Sequence, residues 1–440
     1  MTSRQSRAAE RSSGFAAKFF ILGALIMLTE GVLAGLPPRL LAAGNWIPQW
    51  LPFNLYLSEA YFILGGSVIA TLSLLRADRS SGTRTPGISL LIILAIFYGL
   101  AAYRGYAREN EAWLQDLRNL AFDALALPPF IWIARRINQP SVLFRLSFLG
   151  IPFAFLYAVA GFSKIAWGGF SDPDGLLYAH WTGGYVLLLL FLVACGRFLR
   201  KQRWGSLLAA LYAGAILAPL NKPILPAFIL AFLFWVTLLR LTIKRSQDLR
   251  PLRMPLAIML IGVTTAITLA LLLKTSGGFA NIYLRERFLK DGHVDPDISG
   301  GRFDAWGFCL GQWLQEPLLG SGLGARAEAL SRAGFTRTLP IHNLFIQTLT
   351  QAGLVGLVAL AISLSIWFFR AIKSLRIETD PARYVTRLAL LAFVTAVLAG
   401  AQYGEPLASP VVALSFWLAV AFETVCHGTV RPCPQRGARV

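Results

Sequence analysis

The chain has 440 residues, of which 56% are hydrophobic and only 14% are charged, and its mean hydropathy is +0.59. This composition excludes an ordinary water-soluble domain, which needs more polar surface than the chain can supply. The formal net charge of +19 would suggest a nucleic-acid partner in a soluble protein, but the basic residues lie in short clusters between apolar segments, which is typical of membrane topology signals. We therefore expect the membrane, and no nucleic acid, as a partner.

Apolar segments alternate with short polar loops along the whole chain. A membrane-spanning helix needs roughly 17 to 25 apolar residues, and about twelve segments approach or reach this length. They cover residues 15–36, 56–75, 88–103, 120–134, 142–161, 181–199, 204–220, 223–239, 255–273, 343–369, 384–401 and 409–425. The first ends in Pro37-Pro38 rather than in a cleavage site, which favours an uncleaved span. The pattern predicts an all-α integral membrane protein with about twelve transmembrane helices.

Lysine and arginine are concentrated in every second loop. These loops are residues 76–84, 135–145, 197–203, 240–253 and 370–387, together with both tails. The positive-inside rule then predicts cytoplasmic termini and one long periplasmic loop. The predicted organisation is a basic cytoplasmic tail (1–14), a bundle of about nine spans (15–273), the periplasmic loop (274–341), three further spans (342–426) and a second cytoplasmic tail (427–440).

The long loop has its own predicted elements. Residues 282–290 read as a short amphipathic helix, 293–301 as a turn-rich stretch and 303–314 as a helix. The next segment cannot continue as a helix because it contains Pro317, Gly320, Gly322 and Gly324. We expect this segment to leave backbone N–H groups free to face a bound anion. Asn343 is well placed to cap the helix that follows.

Three motifs in this region occur in a fixed order: SGGRFDAW (299–306), PLLGSGLG (317–324) and HNLFIQTLTQAGLVG (342–356). Together they resemble the signature of the bacterial O-antigen ligase and polymerase superfamily. The resemblance implies a C-type glycosyltransferase (GT-C) fold in the bacterial inner membrane. It also implies transfer of a glycan from undecaprenyl pyrophosphate to an acceptor hydroxyl at the periplasmic face. We expect no metal or other cofactor.

The resemblance implies that His342 is the catalytic base and that Arg302 binds the pyrophosphate. The same chemistry is sensible from the residues alone, because a lipid pyrophosphate is already activated. The enzyme must only stabilise the departing charge and deprotonate the attacking hydroxyl, and a histidine near its ordinary pKa suits the second task.

Further candidates for binding the pyrophosphate or the glycan are Lys222, Arg337, Asn343 and Gly322. Lys222 stands where the family commonly has an arginine, and it keeps the charge without the bidentate fork. Arg337 is the last of three arginines before His342. Gln351 stands where the family frequently has a glutamate.

Carboxylates within the apolar segments are Glu30, Glu59 and Asp123. Unpaired carboxylates are costly in a bilayer, so each needs a partner. For Asp123, two readings stay open: an ion pair with Arg118 or a role in orienting the glycan donor.

Three functions remain possible at this point. The first is a ligase that uses lipid A core as the acceptor, which the single long external loop favours over the two loops common in polymerases. The second is a polymerase that uses the growing O-antigen or exopolysaccharide chain. The third is a flippase or transporter, for which broken helices near the membrane midplane are expected.

Overall fold

The computed structural model describes residues 3–33, 57–68, 88–110, 112–118, 123–166, 181–218, 224–243, 289–290, 293–294, 302–325, 343–402, 407 and 409–428. These residues form helices and turns, apart from one two-stranded hairpin. Five of the described helices are long and apolar enough to cross a membrane, and a bent pair makes a possible sixth. The chain is therefore a helical protein whose apolar helices have the lengths of membrane spans.

The helices are numbered here in chain order. They are α1 (Ser3–Leu33), α2 (Leu57–Glu59, continued by a π-helix over Ala60–Gly65), α3 (Ile88–Ala107), α4 (Trp113–Leu117), α5 (Leu127–Arg136, after a 3-10 turn over Asp123–Ala126), α6 (Gln139–Leu149), α7 (Ile151–Ala166), α8 (Trp181–Leu199), α9 (Gly205–Leu217), α10 (Ile224–Thr242), α11 (Arg302–Gln315), α12 (Leu344–Ile377), α13 (Pro381–Gly400) and α14 (Pro410–Gly428). The hairpin consists of β1 (Leu289–Lys290) and β2 (His293–Val294).

Among the described residues, the helices that are both long and apolar enough to span a membrane are α1, α8, α10, α12 and α13. The apolar parts of α9 and α14, Gly205–Leu217 and Val411–Val425, are shorter. The predicted fifth span (142–161) corresponds to α6 and α7, and the helix axis bends by 43° between them. Pro152 explains the bend, because it lacks the N–H that would continue the helical ladder across the junction. The predicted span at 255–273 lies outside the described residues, so the total of about twelve stays a prediction.

Helix α8 lies at the centre of the bundle, and almost every residue of its span is buried. It packs antiparallel to α13, because Gly196 contacts Val385 near one end and Gly400 contacts Tyr185 near the other. A helix that is apolar on all sides, as α8 is, is expected in such an interior position.

Helices α1 and α13 end at one end of the bundle, and α8, α12 and α14 begin there. We call the end of the bundle that carries Gly31, Ala401 and Val411 the site end. Gly31 lies against Gly183 and Val411, and the Leu344 N–H donates to the Ala401 carbonyl at 2.8 Å. At the opposite end, the hydroxyls of Thr242 and Tyr384 are hydrogen-bonded at 2.7 Å. Which end faces the cytoplasm stays a prediction.

A buried ion pair joins the helices at the opposite end. Arg387 on α13 donates through Nε to both carboxylate oxygens of Glu423 on α14, at 3.0 and 3.1 Å, and both side chains are 0% exposed. Arg387 also donates to Ser374 Oγ at 2.8 Å and contacts Glu378 at 3.4 Å. The cluster ties α12, α13 and α14 together. This ion pair was not predicted from the sequence, although two ionisable residues in apolar segments are a signal for such a pair.

One local prediction was wrong and one was confirmed. Helix α1 begins at Ser3, so it extends into the segment 1–14 whose location in the cytoplasm stays a prediction. Leu289 and Lys290, predicted to be helical, form β1, paired in register with Val294 and His293. The intervening Asp291-Gly292 is the dipeptide most typical of a two-residue hairpin turn. The helix predicted at 303–314 is present as α11.

Candidate functional site

Several of the predicted site residues lie outside the described residues. These are His342, Lys222 and Arg337. Arg302 is the first residue of α11, but the structure describes only its backbone. Among their chain neighbours, the structure describes those that follow His342 and Arg302.

Asn343, the residue after His342, caps α12 as predicted. Its side-chain oxygen accepts hydrogen bonds from the N–H groups of Phe345 and Ile346, both at 3.0 Å. These donors belong to the first turn of the helix and have no partner within it. The Asn343 side-chain oxygen therefore fixes the start of α12 at the site end, and its binding of substrate stays a prediction.

The segment after α11 is an ordered loop, here called the glycine loop (residues 316–325). Gly320, Gly322 and Gly324 have φ angles of 65°, 89° and 82°, a region that residues with a Cβ rarely adopt. A Cβ on Gly322 would also lie 2.5 Å from the Gly105 nitrogen on α3. The prediction that these glycines break the helix is confirmed, and the loop is close-packed between α3 and α12.

Helix α12 is broken where the glycine loop meets it. Gly353 has φ 68° and ψ −170°, which separates two helical halves. The break leaves carbonyls on one side and N–H groups on the other without helical partners. A side chain could not be added here, because a Cβ on Gly353 would lie 2.2 Å from the Leu318 oxygen.

The glycine loop supplies the missing partners at this break. The N–H groups of Ser321 and Gly322 donate to the carbonyls of Thr350 and Gln351, at 2.8 and 3.0 Å. In return, Leu354 and Val355 donate to the Pro317 and Leu318 carbonyls at 2.9 and 3.1 Å. We call this arrangement the interlock: the glycine loop seated in the break of α12 at residues 350–355.

The interlock corrects one prediction about the loop. We expected its N–H groups to be free for a bound anion, but those of residues 320–325 all donate to protein acceptors. That of Leu323, for example, reaches the Ala101 carbonyl at 2.9 Å. The anion-binding basis for selecting Gly322 is therefore wrong. Position 322 instead requires glycine because its φ is left-handed and because α3 approaches it closely.

A buried polar cluster holds the loop from the other side. Asp116 at the end of α4 is 0% exposed, and its Oδ2 accepts from the Gly324 N–H at 3.0 Å and from the Gln351 side-chain amide. Asn110 donates to the carbonyls of Ser321 and Leu323, at 3.2 and 2.8 Å. The cluster binds the α3–α4 turn, the loop and α12 into one unit.

Two arginines converge on the first residue of the glycine loop. Arg104 and Arg108, one turn apart on α3 and just beyond its end, each pair with one oxygen of Glu316. Their side chains are 20% and 40% exposed, and that of Glu316 is 30% exposed. One carboxylate cannot occupy the donors of two guanidinium groups. In the described part of the chain, Arg104 Nε is buried without a hydrogen-bond partner.

Helix α11 is also fixed against α12. Thr350 donates through its hydroxyl to the Cys309 carbonyl at 3.2 Å, and Gln312 donates to the Ser321 hydroxyl at 3.3 Å. Ala305 and Cys309 are buried, with Trp306 and Ile346 packed against them. All three sequence motifs, through α11, the glycine loop and the start of α12, therefore contribute to one contiguous structure.

The carboxylates predicted within apolar segments have partners at the site end. Glu59, 0% exposed, accepts two hydrogen bonds from Arg118 at 3.0 and 3.2 Å. Glu30 accepts from the N–H groups of Leu57 and Ser58, at 2.7 and 3.2 Å. Arg118 thus pairs with Glu59, a partner that the sequence did not indicate, whereas the side chain of Asp123 lies outside the described residues.

The sequence motifs did not point to four charged residues of the site: Arg104, Arg108, Glu316 and Asp116. Signals for them existed. Two arginines spaced four apart at the end of an apolar helix share one face, and Glu316 directly precedes the glycine motif. What the sequence could not supply was the contact between α3 and a loop more than two hundred residues further along the chain.

Comparison of the sequence with protein-family models and with curated proteins finds no match. In the part of the chain that the structure covers, no three His, Cys, Asp or Glu side chains are grouped as they would be around a metal ion.

Proposed function

We propose that this protein is a metal-independent glycosyltransferase that transfers a glycan from undecaprenyl pyrophosphate to an acceptor hydroxyl at the periplasmic face of the bacterial inner membrane. The interlock is the observation that supports this most. Motifs that are separate in sequence form one hydrogen-bonded structure around the start of α12, directly after His342 in the chain. Such rigid support is what a catalytic side chain needs for precise placement.

The proposed chemistry divides between cations and one base. His342 takes the proton of the acceptor hydroxyl while that oxygen attacks the sugar carbon that bears the pyrophosphate. The carbon–oxygen bond to the pyrophosphate breaks, and Arg302 with Lys222 stabilises the departing charge. Arg104 and Arg108 are further cations at the edge of the glycine loop, and their unused donors suit phosphate oxygens.

The ligase activity, with lipid A core as the acceptor, is our first choice. One long loop that we place outside the cytoplasm, residues 274–341, carries the first two motifs, whereas polymerases of the superfamily commonly carry two such loops. A polymerase that extends O-antigen or exopolysaccharide is the alternative within the same chemistry.

A flippase or transporter is the alternative from another class, and the break in α12 is an observation in its favour. Transporters use broken helices because the freed carbonyls and N–H groups can bind ions or substrate. Here the carbonyls of Thr350 and Gln351 accept hydrogen bonds from the glycine loop. The break therefore serves to seat the loop, which favours the enzyme.

The deciding experiment is deletion of the gene followed by analysis of the surface glycan. A ligase predicts loss of all polymer from lipid A, a polymerase predicts single repeat units on lipid A, and a transporter predicts unchanged glycan with altered small-molecule uptake. Complementation with His342→Ala should then fail to restore the glycan, although the variant inserts in the membrane at the wild-type level. His427→Ala, on the predicted cytoplasmic side, is the matched control and should restore it. Restoration by His342→Ala would remove His342 as the base.

A further inference from the structure

The end of the bundle opposite the candidate site carries a compact group of cations, here called the basic turn (residues 197–204). Its sequence, RFLRKQRW, contains three arginines and a lysine without any acidic residue. In the described portion of the chain, no carboxylate pairs with Arg197, Arg200 or Arg203. These three arginines therefore concentrate positive charge that no carboxylate among the described residues neutralises.

The backbone holds the basic turn in a fixed shape. Lys201 and Trp204 have φ angles of 57° and 74°, which are uncommon for residues with a Cβ and cost energy. The N–H of Gln202 donates to the Arg197 carbonyl at 3.1 Å. Gly205 approaches α8 so closely that a Cβ would lie 2.5 Å from the Phe198 nitrogen. The cations are thus displayed on a defined turn.

Aromatic rings orient the guanidinium groups. Arg197 Cζ lies 4.3 Å from the ring centre of Phe148 and 5.4 Å from that of Phe144, and its Nη1 donates to the Phe144 carbonyl at 2.9 Å. Arg200 Cζ lies 5.5 Å from the Phe144 ring. These cation–π contacts hold each guanidinium group near a ring and leave N–H donors for an acceptor. Arg197 Nε is buried, with no partner in the region described.

Exposed apolar side chains surround these cations. Phe148 and Leu149 on α6 are 38% and 42% exposed, and Trp204 and Leu207 at the start of α9 are 51% and 59% exposed. The Tyr212 hydroxyl donates to the Ser147 carbonyl at 2.7 Å and so joins α9 to α6. Exposed tryptophan beside apolar side chains and cations is typical of the level of lipid headgroups.

We propose that the basic turn is a binding site for the phosphate group of an anionic phospholipid. Arg197, Arg200 and Arg203 bind the phosphate oxygens, and the apolar side chains of α6 and α9 contact the acyl chains. Charge complementarity selects an anion, and the adjoining apolar surface selects one that carries hydrocarbon. This proposal does not depend on the enzymatic function.

The test is native mass spectrometry of the purified full-length protein in detergent, titrated with phosphatidylglycerol, phosphatidylcholine or inorganic phosphate. The wild type should bind phosphatidylglycerol in preference to phosphatidylcholine. The double variant Arg200→Gln/Arg203→Gln should weaken phosphatidylglycerol binding by about twentyfold or more. The reason is that each cation removed from beside an anionic group weakens binding roughly fivefold, and the two factors multiply. Inorganic phosphate in millimolar excess should not displace the lipid.

The matched control is Arg376→Gln/Arg383→Gln, which removes the same charge from exposed positions at the same end of the bundle. It should change the affinity by less than about threefold. Equal losses in the two double variants would overturn the site, because they would indicate general attraction to a positive surface. Equal binding of phosphatidylcholine, or displacement by phosphate, would overturn the choice of ligand. Gel filtration checks folding, and Arg203→Gln alone serves if the double variant does not fold.

Discussion

Replacement of Gly353 by alanine should separate the glycine loop from α12. The new Cβ would lie 2.2 Å from the Leu318 oxygen and 2.5 Å from the Gly320 nitrogen, and these are backbone atoms that cannot rotate away. Alanine also disfavours the φ of 68° that Gly353 adopts. The lowest-energy response is for α12 to straighten into a continuous helix and to release the loop.

The magnitude follows from the groups that lose their partners. Straightening restores helical bonds to Thr350 and Gln351 but leaves the buried N–H groups of Ser321 and Gly322 without acceptors. Such donors cost about 1–3 kcal/mol each, whereas alanine returns about 1 kcal/mol of helix propensity. We expect a net loss of roughly 3 kcal/mol in the free energy of unfolding.

Equilibrium unfolding with increasing SDS in mixed micelles measures this difference. Gly311→Ala in α11 is the matched control, because the added Cβ would have no neighbouring atom within 4 Å and the substitution should be neutral or stabilising by up to about 1 kcal/mol. If Gly353→Ala were as stable as Gly311→Ala, the interlock would not contribute to stability and the reasoning would be refuted.

Three further predictions concern charged and buried polar groups. Arg302→Lys should impair glycan transfer in complemented cells despite the retained charge, because an ammonium lacks the bidentate fork; wild-type transfer would exclude a bidentate role. Glu423→Gln should cost about 3 kcal/mol in the same unfolding titration, because the buried Arg387 then has Glu378 as its remaining carboxylate; replacing both Arg387 and Glu423 by leucine should cost less. Asp116→Ala leaves two buried donors unpaired and should cost about 2–5 kcal/mol, more than Asp116→Asn, which keeps an acceptor oxygen. Equal stability of the two Asp116 variants would contradict that account.

Local sequence signals predicted the elements that depend on neighbouring residues. Asn343 was identified as a cap because the rule involves only the next three residues. The glycines at 320, 322 and 324 were identified as helix-breaking for the same local reason. The proposed roles of His342, Arg302, Lys222 and Arg337 rest on sequence and chemistry alone, and the His342→Ala and Arg302→Lys variants test the first two.

Composition and apolar periodicity by themselves determined that the chain is a helical protein with spans of membrane length, because each helix satisfies its own backbone and needs only an apolar exterior. Only the tertiary structure decided that α12 is broken at Gly353, that the glycine loop fills the break and that Arg118 and Arg387 pair with Glu59 and Glu423. In the sequence, Gly353 is one glycine in an apolar run that reads as continuous helix. Its left-handed conformation is stabilised by hydrogen bonds from a distant segment, and such long-range contacts leave no local pattern.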